Sequence, residues 1–322
     1  MMSLRKLSDT KEVHMTSEVK KRFVKDESLP IQLLKEPYFS YYICLYNRDF
    51  DTVRKYGDLH RALERCGSEE KFLQEYYSIR DRVITCTKEL PEYTEFLECD
   101  MSKYDIEAPA LPNAHKTDVY KMVNVDRRFI SIDMKKANFQ VMKMFSEKIV
   151  FSADTYEEYI GRFTDMDYFR NSKYTRQVIF GNMNPKRQTK MQKFCMRKVF
   201  DLLAAEYDIS PEAFAVFTFD EIVLRRDMLD EETAAAVISG AGKKIMDGLG
   251  IAVRVKPFTL RSIGGRDFYA NEVEDGTVEF KKAPSIFFAQ IYKKYYGMEL
   301  CDNDLMFYHE GCVAKFQEPL FD

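Results

Sequence analysis

The chain of 322 residues is long enough for one large domain or for two or three packed subdomains, and its apolar content of 45% excludes global disorder. A formal net charge of −3 excludes a protein whose whole surface binds nucleic acid by charge, so any basic surface has to be local. Seven cysteines without a C-x-x-C pair argue against a structural zinc site and favour reduced thiols in the cytoplasm or in another reducing compartment.

The first part of the sequence is predicted to be a polar tail followed by helices. Residues 1–28 are polar with mixed charge, which predicts a flexible tail. Residues 29–126 have a mostly helical pattern, and Ser68 followed by two acidic residues marks the start of a helix over residues 68–84. Residues 100–126 contain two prolines and no long periodicity, which predicts an extended connector.

From residue 127 onward, strands and helices alternate. The predicted elements are a strand at 129–132, a helix at 137–145, a helix at 184–208, a strand at 214–226, a helix at 230–250, a strand at 251–263 and a hairpin at 266–283. This order predicts an α+β domain over residues 127–283, with helices on one face of an antiparallel sheet. Residues 284–322 form a small C-terminal extension, first helical and then mixed.

Two carboxylates interrupt the apolar run at residues 214–226. Asp220 and Glu221 follow AVFTF and precede IVL, while Asp133 closes the strand at 129–132. Carboxylates that meet in an apolar setting repel one another unless a cation neutralises them. Their hard oxygens suit Mg²⁺ or Mn²⁺, and two such ions held by neighbouring strands drive phosphoryl transfer. The alternatives are that Asp220 and Glu221 end a strand at the surface and that Asp133 caps the following helix.

A local excess of positive charge lies between Tyr168 and Phe200. This segment contains nine lysine and arginine residues and no aspartate or glutamate. Six of them lie in the helix predicted at 184–208, where four fall on one stripe and Arg187 lies beside it. The stripe consists of Lys186, Lys190, Lys193 and Arg197. Gly181 precedes this helix, where a glycine lets another backbone approach closely. The segment is predicted to bind a phosphate backbone; the alternative is a solvated helix face.

Taken together, residues 127–282 resemble the palm of template-copying polymerases, above all reverse transcriptases and viral RNA-dependent RNA polymerases. FISIDMKKANF resembles their first motif, FGNMNPKRQTKMQ the second, TFDEIVL the third, GLGIAVRVKPFTL the fourth and DFYANEVEDGTVEF the fifth. The third motif reads Asp-Glu where the family usually has Asp-Asp. The resemblance implies a palm-type sheet, a fingers-like region at 29–126 and a thumb-like extension at 284–322.

The resemblance also implies roles for individual residues. It assigns metal binding and catalysis to Asp133 and Asp220, with Glu221 in the second acidic position. It implies that Arg176 contacts the incoming triphosphate and that Lys256 lies near the leaving pyrophosphate. Asn138 occupies the position that reads the sugar, where a polar residue resembles an RNA polymerase.

The function expected from these features is a two-metal nucleotidyltransferase that extends a nucleic-acid 3′ end with Mg²⁺ or Mn²⁺. Its expected partners are an RNA or DNA template and primer, NTPs or dNTPs, and a protein that completes the small thumb. No apolar run reaches transmembrane length, so no membrane partner is expected. Two alternatives are a catalytically inactive palm-fold subunit that binds nucleic acid and a non-templated nucleotide or oligonucleotide synthase.

Overall fold

The computed structural model describes residues 15–107, 109, 111 and 119–321. A helical N-terminal part and an α+β part share one continuous hydrophobic core. The predicted α+β class with an antiparallel sheet is confirmed. Within the described ranges, no helix combines the length and the apolar content needed to cross a membrane.

The N-terminal part is helical, as its periodicity predicts. Its helices are α1 (Ser17–Asp26), α2 (Tyr38–Leu45), α3 (Asn47–Phe50), α4 (Thr52–Cys66), α5 (Glu69–Lys88) and α6 (Pro91–Glu98). The predicted start of α5 is confirmed, because the Ser68 side chain accepts a hydrogen bond from the backbone N–H of Lys71 at 3.2 Å. Glu69 and Glu70 follow in the first turn, where carboxylates interact favourably with the helix dipole.

Part of the predicted tail belongs to the hydrophobic core. Helix α1 buries Phe23 completely, and Arg22 forms a buried ion pair with Asp26 at 2.7 Å. The prediction of a flexible tail is therefore wrong for residues 15–28. Buried ion pairs give a segment the same mixed charge as a solvated surface, so composition does not distinguish the two. Residues 1–14 of the predicted tail lie outside the described residues, as do residues 112–118 of the predicted connector.

A six-stranded antiparallel sheet is the framework of the α+β part. Its strands are β1 (Arg128–Met134), β2 (Phe214–Phe217), β3 (Glu221–Arg225), β4 (Val253–Ser262), β5 (Tyr269–Val273) and β6 (Val278–Lys281). They are arranged in the order β2-β3-β1-β4-β5-β6. Strand β1 therefore lies in the middle, paired with β3 on one side and β4 on the other. The predicted hairpin at 266–283 is confirmed as β5 and β6, with Gly276 at φ +87° in the turn.

Helices cover one face of this sheet. The helices of this part are α7 (Ala137–Phe145), α8 (Tyr156–Gly161), α9 (Asp167–Asn171), α10 (Lys173–Gly181), α11 (Pro185–Glu206) and α12 (Glu231–Leu249). Helices α11 and α12 contact β3 and β4 directly and α7 packs on α11, whereas α9 and α10 pack against the N-terminal helices. Ile130 and Ile132 of β1 point into the core shared with α7, α11 and α12. Phe129 points to the opposite face, where Val119 and Tyr120 cover one half of the sheet. The part of that face around Ser131, Asp133 and Glu221 opens into a cavity, and we call it the open face.

The segment predicted as one strand over residues 214–226 is in fact a hairpin of β2 and β3. Residues 218–220 form its turn, and the backbone N–H of Thr218 donates to the carbonyl oxygen of Glu221 at 2.8 Å. The apolar residues on either side of the acidic pair thus belong to two strands. The turn contains no glycine or proline, which explains why the sequence pattern does not reveal it. Asp220 consequently lies in the turn, and Glu221 begins β3.

The C-terminal extension packs against the N-terminal helices. It contains α13 (Phe288–Tyr295), β7 (Met306–His309) and β8 (Cys312–Lys315). The hydroxyls of Tyr292 and Tyr296 donate to the carboxylate of Asp49 at 2.6 and 2.7 Å. Lys293 and Asp304 form a buried ion pair at 2.6 Å, and Asp304 also accepts from the hydroxyl of Tyr41. These contacts tie α2 and α3 to the extension.

Candidate active site

Asp133 and Glu221 are cross-strand neighbours in the middle of the sheet. They are register partners in the antiparallel pair of β1 and β3. Side chains alternate along a strand, and the adjacent Ile132 and Ile222 belong to the core on the helix side. Both carboxylates therefore leave the sheet on the open face, with Cβ atoms about 5 Å apart, as is usual for such pairs. The Ser131 hydroxyl donates to Glu221 Oε1 at 2.7 Å.

Asp220 adjoins this pair in the turn between β2 and β3. Its carbonyl oxygen accepts from the backbone N–H of Met134 at 2.8 Å, which fixes the turn to the end of β1. Its carboxylate accepts from the Thr218 hydroxyl at 3.1 Å. In residues 15–107, 109, 111 and 119–321, no group of three or more His, Cys, Asp or Glu side chains could hold a metal ion. The fold thus brings Asp133 and Glu221 together without a third converging carboxylate.

A small polar cavity of about 160 Å³ opens on the same face. Its lining consists of Ser131, Asp133, Glu221, Lys256, Phe258, Asn271, Val273, Glu279 and Lys281. Lys256 is the register partner of Ser131 on β4, so the structure brings this predicted nucleotide-binding residue next to the acidic pair. Its ammonium group forms an ion pair with Glu279, and Lys281 contacts the same carboxylate at 2.9 Å.

Oppositely charged neighbours hold Glu279 and Lys281 of this cavity in their charged forms. Burial by itself would raise the pKa of Glu279, but the ammonium groups of Lys281 and Lys256 outweigh it and lower that pKa to about 2. Burial would likewise lower the pKa of Lys281, whereas Tyr120, Glu279 and Glu221 raise it. Acidic and cationic groups thus stand side by side, an arrangement that suits a phosphate together with a metal ion.

The structure adds Arg254, Glu279 and Lys281 to the candidate site, none of which the sequence analysis identified. Arg254 is the register partner of Asp133 on β4, opposite to Glu221. Arg254 and Lys256 are two residues apart on one strand, and so are Glu279 and Lys281. This spacing of charges is the signal that could have identified one polar face of the sheet.

Asn138 and Arg176 lie outside this polar cavity, on α7 and α10 respectively. Asn138 is in the first turn of α7, where its side-chain oxygen accepts from the buried Gln192 of α11. The Arg176 guanidinium lies 5.4 Å from the ring centroid of Tyr156 and forms no ion pair with any described residue. Burial lowers the pKa of Arg176, while Tyr156 and Glu157 act in the opposite direction. A half-buried guanidinium of this kind suits an anionic ligand.

The predicted basic stripe is partly engaged by the preceding chain. Lys190 forms an ion pair with Asp105 at 2.7 Å, and Arg197 donates to the carbonyl oxygen of Glu107 at 3.3 Å. Arg187 donates to the carbonyl oxygens of Phe96 and Cys99 at the end of α6. Two of the five predicted side chains therefore hold the connector in place, and a third binds the end of α6.

The remaining members of the predicted nucleic-acid surface have no such contacts. Lys186 and Lys193 make no ion pair with the described part of the chain. Gly181 is the last residue of α10, has no positive φ, and would have open space around an added Cβ. A glycine is therefore not required there. The start of α11 depends on Asn184, whose side chain accepts from the backbone N–H of Arg187.

A comparison with protein-family models, curated proteins and solved structures finds no match to this chain. The candidate site therefore rests on its geometry.

Proposed function

We propose that this chain is a two-metal nucleotidyltransferase that extends a nucleic-acid 3′ end on a palm-type sheet, as a template-dependent RNA or DNA polymerase. The observation that supports this best is the apposition of Asp133 and Glu221 on the open face of the two central strands. Asp220 is attached to the end of β1 beside them. Basic side chains surround this acidic centre, as a reaction between phosphate esters requires.

The oxygen donors at this centre fit Mg²⁺ or Mn²⁺. Mg²⁺ in proteins is usually held by one or two carboxylates, several waters and the phosphates of a substrate, rather than by an all-protein cage. Asp133 and Glu221 supply two carboxylates, and Asp220 is the third candidate ligand. When bound, such ions lower the charge on the reacting phosphate and activate the attacking hydroxyl.

The other residues of the site bind and orient the substrate. Lys256 and Lys281 hold phosphate oxygens at the cavity, where Glu279 keeps both ammonium groups in position. Arg176 binds the triphosphate, because its half-buried guanidinium needs an anion. Asn138 lies five residues after Asp133 and hydrogen-bonds to the sugar, while Gln192 fixes its amide.

One observation favours the alternative of a catalytically inactive subunit that binds nucleic acid. In the described part of the chain, no three potential ligands converge on one point. Such a subunit would bind nucleic acid with an affinity that is indifferent to Mg²⁺ and to Asp133.

Primer extension distinguishes these two functions. A short primer on a longer template is incubated with the protein, Mg²⁺ or Mn²⁺, and NTPs or dNTPs offered separately. We expect a template-directed product from the wild-type chain. In Asp133→Ala and Asp220→Ala the rate of extension should fall by at least about a thousandfold. Asp247→Ala is the matched control, since Asp247 is exposed on α12, and this variant should retain full activity. Extension that survives in Asp220→Ala rejects the assignment, and Mg²⁺-indifferent binding without extension establishes the inactive subunit.

A further inference from the structure

A groove of about 1630 Å³ runs between the N-terminal helices and the C-terminal hairpin, away from the acidic centre. Helices α1, α5 and α10 form its walls with residues 31–35, and the turn between β7 and β8 closes one side. None of its lining residues belongs to the site proposed above. We call it the tyrosine groove, after Tyr76, Tyr77, Tyr174 and Tyr308 in its lining.

Positive charge dominates the tyrosine groove. Lys21, Lys25 and Lys35 are exposed along it and form no ion pair with the described part of the chain. Arg22 and Arg80 also line the groove, but they are paired with Asp26 and Asp81, so the three lysines carry the excess charge against Glu18, the acidic residue of the lining. Because the whole chain is net acidic, this excess of cations marks a local surface for an anionic partner.

The tyrosine rings are available beside these cations. Tyr77 of α5 and Tyr308 of β7 both line the groove and are 45% and 53% exposed. The Arg80 guanidinium lies 4.9 Å from the ring centroid of Tyr77, which helps to hold that ring in place. Exposed aromatic rings next to unpaired lysines are the combination with which proteins bind unstacked bases and their phosphates.

We propose that the tyrosine groove binds a single-stranded nucleic-acid segment. The lysines contact phosphates, and Tyr77 and Tyr308 stack on bases. A duplex keeps its bases stacked inside and would leave both rings without a partner. An acidic polypeptide would pair with the lysines but not with the ring faces. The groove thus favours single strands over both competitors.

This inference rests on the proposed function only in that nucleic acid is the substrate. It needs no metal and no catalytic residue, so a binding assay in EDTA tests it separately. A polymerase without this binding mode would extend primers normally while groove variants bind like wild type. Groove-dependent binding without extension would instead support the groove and reject the polymerase.

The test is fluorescence anisotropy with labelled oligo(U) and oligo(dT) of sixteen nucleotides, in EDTA, over a range of salt concentrations. The groove variant is Lys21→Glu/Lys25→Glu/Lys35→Glu. Its control with equal charge is Lys71→Glu/Lys88→Glu/Lys243→Glu, three exposed lysines outside the groove. Tyr77→Ala and Tyr308→Ala are tested separately, since these exposed rings contribute little to the core. Circular dichroism and thermal unfolding verify that each variant is folded.

We expect the affinity of the groove variant to be at least about tenfold lower than that of the control. The slope of the logarithm of its binding constant against the logarithm of the salt concentration should become smaller by about 2, which corresponds to three lost phosphate contacts on a single strand. Each tyrosine variant should bind the oligonucleotides with an affinity at least about fivefold lower than that of the wild-type chain. Equal losses in the groove variant and the control would overturn the proposal. Unchanged binding in both tyrosine variants, or equal competition by duplex or polyglutamate, would overturn it as well.

Discussion

Asp133 on β1 faces Glu221 on β3 and has Arg254 of β4 on its other side. Two carboxylates directly opposite each other in a sheet repel, so this pair destabilises the sheet unless a cation is near. Arg254 and the nearby Lys281 offset part of this repulsion, and under the proposed function a bound metal ion would offset more of it. The stability of the protein should therefore respond to metal ions through these two residues.

Thermal unfolding with metal ions and nucleotide tests this relationship. We expect Mn²⁺ together with a nucleoside triphosphate to raise the unfolding midpoint of the wild-type chain, because a ligand at a hundred times its Kd stabilises the native state by about 2.7 kcal/mol. Asp133→Asn should lose this shift, whereas the exposed Asp247→Asn should keep it. An equal shift in all three proteins would mean that the ligands bind elsewhere.

The pKa of Glu279 predicts a pH-dependent contribution to stability. Because that pKa is lowered from 4.5 to about 2 in the folded chain, the stabilisation is complete above about pH 4.5 and is lost as the pH falls toward 2. Glu279→Gln should therefore lower the free energy of unfolding at pH 6, and the difference from wild type should shrink at pH 3.5. Urea unfolding at the two pH values measures it. A difference that does not change with pH would contradict the ion pairs with Lys256 and Lys281.

Asp26 should be essential for the stability of the N-terminal part. Its buried carboxylate accepts from Arg22, from the Tyr168 hydroxyl at 2.9 Å and from the Ser172 hydroxyl at 2.6 Å. Asp26→Ala leaves the Arg22 guanidinium buried without its counter-ion, so we expect a loss of about 3–5 kcal/mol in urea unfolding. Asp154→Ala removes the exposed partner of Lys143 and should have a much smaller effect. Similar losses in both variants would argue against a buried role for α1.

Alanine substitutions at two neighbouring glycines distinguish the cost of backbone strain from the cost of lost packing near the C-terminus. Gly264 and Gly265 have φ values of +62° and +66°, but only at Gly264 would an added Cβ collide with the ring of Phe321. Gly265→Ala should cost about 1 kcal/mol for the left-handed conformation alone. Gly264→Ala should cost clearly more, since it also displaces Phe321 from its apolar cluster. Thermal unfolding compares the two, and equal midpoints would show that the docking of Phe321 adds nothing to stability.

The sugar preference of the proposed polymerase should depend on Asn138. If its amide hydrogen-bonds to the 2′-hydroxyl, Asn138→Ala should reduce the ratio of kcat/KM for NTPs over dNTPs by about five- to tenfold, the value of one hydrogen bond. Gln192→Leu should act in the same direction with a smaller effect, because it only releases the Asn138 amide. A ratio that is unchanged in both variants would remove Asn138 from the sugar pocket.

Local patterns in the sequence predicted most of the secondary structure. Ser68 caps α5, and the helix predicted at 230–250 ends at Gly250, which adopts φ +66°. Asp275 and Gly276 occupy the predicted turn of the β5–β6 hairpin. Such signals are accurate because a cap or a tight turn depends on a few residues that are adjacent in the chain.

Long-range contacts explain where the predictions were wrong. The buried helix α1 has the composition of a tail, because its Arg22–Asp26 pair is buried only by contacts with residues far along the chain, such as Tyr168 and Ser172. The turn at 218–220 carries no glycine or proline, so its hairpin is specified by the pairing of β2 with β3. The contacts of Lys190 and Arg197 with the connector also join residues far apart in the chain.

The sequence by itself determined the α+β class, the apolar core and the three acidic residues that are candidates for metal binding. Tertiary structure alone decided that Asp133 faces Glu221, that Arg254 and Lys281 belong beside them, and that tyrosines from distant segments line one groove. Helices and turns follow from neighbouring residues. The register of a sheet and the shape of a groove depend instead on side chains that meet only after the whole chain has packed.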